Sequence, residues 1–304
     1  MKILYTRHID TNQEKRMQQD YLCDVVIHGL RSLGEEVIDV PRLWYMYKNE
    51  FGSGKNNLND LYGRGFTIFA TLDEDLIDRT DIELKIRNRY FDLIVIARID
   101  YGTPYLSLIL ENYPPSKIII LDGQDSEKIY STYLTTCGTY FKRELRFSDP
   151  HIFPISFAFP KEKIQQVNYN KSKIISQIKP NYNRSYLFDN EKDYYNEYNE
   201  SLFAYTQCKV GWDVMRHYEI MACRSIPIFY GIDVCPEYTC TTLPKKELLE
   251  ILNKHLQDGF DWFTQNLSYC YEMEEKIHQH FLKHCTTEVL AKYILDTHFS
   301  RVKL

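Results

Sequence analysis

An apolar strand, an amphipathic helix and a second apolar strand follow one another within residues 1–40, and that order leaves few folds open. Residues 2–6 (KILYT) read as a short buried strand. Tyr21, Leu22, Val25, Val26, Leu30 and Leu33 recur at helical spacing, and Gly34 supplies the stop. Residues 36–40 (EVIDV) form the second strand, ended by Pro41. A strand, a crossover helix and a strand predict a parallel, doubly wound α/β sheet, whose ligands bind outside the carboxyl ends of the strands.

The same logic continues along the chain. Residues 65–70, 91–97 and 117–121 read as further strands, 140–145 as a short sixth one, and 81–89 as a charged helix. Residues 44–62, aromatic and polar with Gly52 and Gly54, read as a mobile loop over a cleft or simply a surface loop. Near residues 150–160 (HIFPISFAFP) the pattern changes to proline and aromatics, and a domain crossover is expected there. Three units follow: 1–155, 156–285, and a terminal helix at 286–304. Within the second, 161–178 reads as a helix, 185–188 as a strand, 191–200 as a polar helix and 202–206 as a strand. A helix runs from Leu243-Pro244 through Leu256, and the last 45 or so residues are helical in pattern.

The stretch GWDVMRHYEIMACRSIPIFY, residues 211–230, carries the chemistry. Asp213 stands where a helix N-cap would. Arg216, His217 and Glu219 are the polar positions of the helix that follows, and residues 226–230 read as a strand. A helix N-terminus attracts phosphate, an arginine adds bidentate donors, and a carboxylate one turn on can accept from two ribose hydroxyls. The same residues also fit an ordinary helix bearing a surface ion pair.

Residues 219–228 (EIMACRSIPI) resemble the E-A-x-A-x-G-x-I-P-V segment of GT-B glycosyltransferases, including exostosin-like and fucosyltransferase-like members. The resemblance implies a GT-B fold: two Rossmann-like domains with parallel sheets facing a cleft, 1–155 for the acceptor and 156–285 for the sugar nucleotide, with the 286–304 helix crossing back to the first. It also implies a nucleotide-sugar donor held by Arg216 and Glu219. The chain departs from the pattern at two points. Arg224 and Ser225 stand before Ile-Pro where the family has glycine. Gly211 stands where retaining members carry the first glutamate of their E-x7-E pair, which points to an inverting reaction.

Around this centre Arg143, Thr206, Lys209, Gly211, Trp212, Asp213 and His217 are further donor-binding candidates. Asp73, directly after the expected strand 65–70, is the candidate base for the acceptor hydroxyl, with His8, Asp122 and Asp125 as rivals at other strand ends. Arg216, Lys209 and the helix dipole would stabilise the leaving diphosphate, so no cofactor or metal is expected. The expected partners are a UDP- or GDP-sugar and an oligosaccharide or glycan acceptor. One alternative is a GT-A-type transferase with a metal on Asp73 and Asp75; another is a non-catalytic sugar-nucleotide or glycan-binding protein.

The net charge of −5 offers no basic footprint for nucleic acid. The eight cysteines form no C-x-x-C pair, and no run approaches 18 apolar residues, so a reducing, cytoplasmic setting without a membrane span is expected. His280 and His284 share a helix face, and Cys235-x4-Cys240 is a close pair, but neither supplies the four ligands of a structural zinc. The 25 tyrosines suit sugar contact, though base composition alone also accounts for them.

Overall fold

The computed structural model describes residues 1–8, 19–51, 56–73, 76–99, 102–180 and 187–302. Its larger sheet is built from β1 (Lys2–Thr6), β2 (Glu36–Val40), β3 (Leu93–Ile96), β4 (Ile118–Asp122), β5 (Thr139–Lys142) and β6 (Ile152–Pro154). The order is β2-β1-β3-β4-β5-β6, and every pairing is parallel. β1, β3 and β4 consist almost wholly of buried apolar residues, as strands covered on both faces must. The strand order reverses between β1 and β3, so the crevice at their carboxyl ends is the topological switch point.

The smaller sheet holds β7 (Lys173–Ile175), β8 (Ser201–Gln207) and β9 (Ile226–Tyr230), again parallel and in that order. It has its own core, in which Phe203, Tyr218, Ile228 and Phe281 are fully buried. The helices among the described residues are α1 (Tyr21–Ser32), α2 (Ile82–Arg87), α3 (Leu106–Asn112), α4 (Leu134–Cys137), α5 (Glu191–Asn199), α6 (Met215–Ala222), α7 (Lys245–Gln265), α8 (Leu267–His284) and α9 (Thr287–Val302). No helix among them is long and apolar enough to cross a membrane.

α1 starts where a side chain can cap it: Asp20 Oδ1 accepts from the Cys23 N–H at 3.0 Å. The last helix returns to it. Leu290, Ala291, Ile294 and Leu295 of α9 join the core formed by Val25, Val26 and Leu30. The approach depends on Gly29, since a Cβ there would lie 2.0 Å from the Thr287 carbonyl oxygen. His28 Nδ1 and Thr287 Oγ1, 2.9 Å apart, complete the contact.

Several local expectations are corrected. Residues 65–70 are not a strand. Gly65, Thr67 and Ala70 have φ of 70°, 74° and 51°, so the backbone turns repeatedly and forms no ladder. Phe66, Ile68 and Phe69 are buried all the same, which is why an apolar run could not separate a buried strand from a buried loop. The expected helix 161–178 is instead a 3-10 turn, Lys161–Lys163, followed by β7, whose residues pair with β8. The strand expected at 140–145 is β5 and stops at Lys142, so Arg143 and Glu144 leave the sheet. Leu187 and Phe188 are not in a strand; Ser185 and Tyr186 lie outside the described residues. Of the segment read as a loop over a cleft, Tyr45, Met46 and Tyr47 are fully buried core, while Gly52 and Gly54 lie outside the described residues.

Candidate functional site

The carboxyl ends of β4 and β5 meet the loop between β8 and α6. Lys142 ends β5 and turns its ammonium to Asp122 Oδ1 at 3.0 Å; Tyr140 Oη donates to the other oxygen at 2.7 Å. Asp122 also accepts from the Gln124 and Tyr130 N–H groups, so its carboxylate is fully committed to the protein. It is not available as a base.

The next two residues cross to the smaller sheet. Glu144 Oε1 accepts from the Asp213 N–H and Oε2 from the Trp212 N–H, both at 3.1 Å. Arg143 Nη1 donates to Glu144 Oε1 at 2.9 Å and to the Asp213 carbonyl at 2.7 Å, Nε donates to the Gly123 carbonyl at 3.1 Å, and Nη2 is paired with Asp125. The guanidinium also lies 4.6 Å from the Phe157 ring centroid. The expectation of a donor-reaching Arg143 is therefore corrected: the side chain is a buried fastener between two parts of the chain. Gly211 belongs to the same fastener, for a Cβ there would lie 2.5 Å from Glu144 Oε1 and 2.9 Å from Asp125 Oδ1.

Asp213 is not the helix cap. The N-cap position of α6 is Val214, with no side-chain bond, and Asp213 points elsewhere. Its Oδ2 accepts from the Phe157 N–H at 2.6 Å and its Oδ1 from Tyr218 Oη at 2.8 Å. Burial pushes this carboxyl up to about 6, against the pull of Arg143. A value raised above that of the unfolded chain means that ionised Asp213 penalises the folded state above about pH 6, and that the penalty disappears as pH falls towards 4. Relative to Asp213→Asn, the native protein should gain about 2–3 kcal/mol of stability between pH 7 and pH 4. Urea unfolding across that range checks it; a pH-independent difference overturns the raised value.

His217 and Thr206 hold each other rather than a ligand. The Trp212 carbonyl, 2.9 Å from Nε2, can only accept, so Nε2 carries the proton and Nδ1 accepts from Thr206 Oγ1 at 2.8 Å. The ring stacks on Phe229 with centroids 4.2 Å apart, and burial pulls its pKa down to about 4. The donor-binding role expected for both side chains is thus replaced by a structural one. Trp212 contributes its N–H to Glu144, and its ring packs beneath Gly231.

Arg216 and Glu219 do come together as expected, on the first turns of α6. Arg216 is only 6% exposed, yet its Nε has no hydrogen-bond partner, and the guanidinium forms no ion pair with a described carboxylate. Burial lowers its pKa, but Tyr198, Tyr194 and Glu219 outweigh that effect and raise it overall. Glu219 accepts from Thr67 Oγ1 at 2.5 Å and from Tyr194 Oη at 2.7 Å, one hydroxyl on each oxygen. Lys209 is an exposed residue on the preceding loop; partial desolvation of its ammonium and the like charge of Arg216 hold its pKa below the usual lysine range.

Asp73 loses the strand that was to position it. Its side chain is 87% exposed and pairs with Lys48 Nζ at 2.7 Å. Asp75, its partner in the alternative metal site, lies outside the described residues, as does Glu74. Of the rivals, Asp125 is engaged by Arg143, and His8 is half-buried just past β1.

Glu144, Tyr194, Thr67 and Phe157 are the site residues that sequence reasoning missed. Each acts across a long separation, and the one local signal was the position of Glu144 just past a strand end. No protein-family model matches the chain, and no curated protein matches it.

Proposed function

We propose that this chain is an inverting, metal-independent glycosyltransferase of GT-B type, moving a sugar from a UDP- or GDP-sugar to a glycan hydroxyl in the cytoplasm. The observation that carries the proposal is Arg216. A buried guanidinium that forms no ion pair among the described residues and whose Nε has no partner is costly, and a diphosphate at the start of α6 would supply an acceptor. Lys209 adds a second positive charge nearby. Glu219 supports the same reading, since Thr67 and Tyr194 present two hydroxyls to its two oxygens as a ribose diol would. Binding would exchange Thr67 for the ribose.

In such a reaction the acceptor hydroxyl attacks the anomeric carbon, a carboxylate takes its proton, and the diphosphate leaves against Arg216, Lys209 and the α6 dipole. Asp73 is the proposed base, now as a solvent-facing carboxylate rather than a rigid strand-end one. Turnover of UDP- and GDP-sugars, followed by NMR with and without EDTA, tests the proposal. Release of the diphosphate that persists in EDTA supports it and separates it from a metal-assisted reaction on Asp73 and Asp75. Asp73→Asn with undiminished turnover would remove that residue from the mechanism.

A non-catalytic binding protein is the second reading. One observation favours it: Asp122, Asp125, Glu144 and Asp213 are all committed to protein partners, which leaves few carboxylates for proton transfer. Nucleotide binding without any donor hydrolysis or transfer would decide for it.

A further inference from the structure

The loop after β9 brings two cysteines together behind Asp213. Cys235 is half-buried and Cys240 fully buried, and each thiol perturbs the acidity of the other. A turn between them, closed by the Thr239 N–H on the Pro236 carbonyl at 3.2 Å, keeps the pair in register. Cys235 Sγ lies 3.8 Å from the Pro236 carbonyl and 4.0 Å from that of Thr239. Lys245 Nζ is fixed over the same turn by the Pro236 and Glu237 carbonyls, at 2.7 and 3.1 Å. Cys240 Sγ lies 3.8 Å from Asp213 Oδ1, and its backbone is held at a φ of 52°.

We infer that Cys235 and Cys240 form a reversible thiol–disulfide site that reacts with hydrogen peroxide, Cys235 as the attacking sulfur and Cys240 as the resolving one. Cys235 is the more accessible of the two, and the neighbouring Cys240 thiol and Lys245 favour its thiolate, lowering its pKa. In the first step the Cys235 thiolate forms an S–O bond as the peroxide O–O bond breaks, giving a sulfenic acid and hydroxide. In the second, the sulfur of Cys240 gives up its proton and bonds to that of Cys235 as the S–O bond breaks. The departing hydroxide collects the proton as water. The two sulfurs lose two electrons and the peroxide gains two; a dithiol reverses the change. The disulfide withdraws the Cys240 thiol from Asp213, next to the start of α6, so oxidation is felt at the nucleotide end of the smaller sheet. The chemistry itself does not depend on what that end binds.

Both cysteines fall in one tryptic peptide, residues 225–245, which contains no other cysteine. Native protein treated with one equivalent of hydrogen peroxide should give this peptide about 2 Da lighter, and dithiothreitol should restore its mass. In Cys240→Ser the reaction should stop at the sulfenic acid, trapped on Cys235 by dimedone. Because that variant alters a buried residue, Cys235→Ser at the half-buried position provides the second measure: it should abolish the mass loss. Oxidation of Cys208 or another thiol while peptide 225–245 keeps its mass overturns the inference. So does a mass loss that survives Cys235→Ser.

Discussion

Replacing Arg143 by alanine is expected to cost about 3–5 kcal/mol of stability, the range for removing one partner of a buried ion pair. The side chain satisfies two carbonyls and two carboxylates while only 3% exposed. Its loss strands Glu144, itself 5% exposed, with two backbone N–H groups but no counter-charge. That carboxylate is what ties Trp212 and Asp213 to the end of β5, so the effect reaches the entrance of α6. Arg143→Lys keeps the charge but not the four-way geometry and should fall between the two. Urea unfolding measures all three proteins. A loss below about 1 kcal/mol for the alanine variant would show that the fastener contributes nothing net.

The second large effect is expected to fall on binding and to spare stability. Arg216→Met keeps the apolar stem and removes a buried guanidinium whose Nε has no partner. Burial of the guanidinium and the pull of Glu219 oppose each other, so its removal should change the unfolding free energy by no more than about 1 kcal/mol. A diphosphate would lose its bidentate donor, and the affinity for UDP or GDP should fall about 100-fold, or roughly 3 kcal/mol. Calorimetry of nucleotide binding beside urea unfolding reads both quantities. A variant that binds nucleotide as well as the native chain removes the central support of the functional proposal. A variant that binds normally and is also destabilised assigns Arg216 to the core instead.

Much of the architecture was legible in the order of residues. Strands β1, β3 and β4 announce themselves as unbroken apolar runs, and the periods of α1 and α5 match their sequence patterns within a residue or two. The failures have a common cause. The run at 65–70 is as apolar as a strand, but its repeated left-handed residues turn it into a buried loop, which composition does not reveal. β7 is a strand because β8 pairs with it, not because its own residues demand it. At the site the same division holds. Arg216 and Glu219 are one turn apart on a helix, and helical spacing alone puts them together. That Glu144 holds Trp212 and Asp213, and that His217 and Thr206 satisfy each other, follows from contacts between segments far apart in the chain.

The sequence by itself determined the parallel α/β character, the helix that carries an arginine and a glutamate on its first turns, and the helical pattern of the last 45 or so residues. These depend on periods of two and 3.6 residues, which a chain displays locally. Only the tertiary structure decided which polar side chains are already spent. Arg143, Asp213, His217 and Thr206 are consumed by neighbours, while Arg216 is left buried with an unsatisfied donor. A side chain's hydrogen-bonding capacity is finite, and what remains of it for a ligand is known only when every partner brought by the fold has been counted.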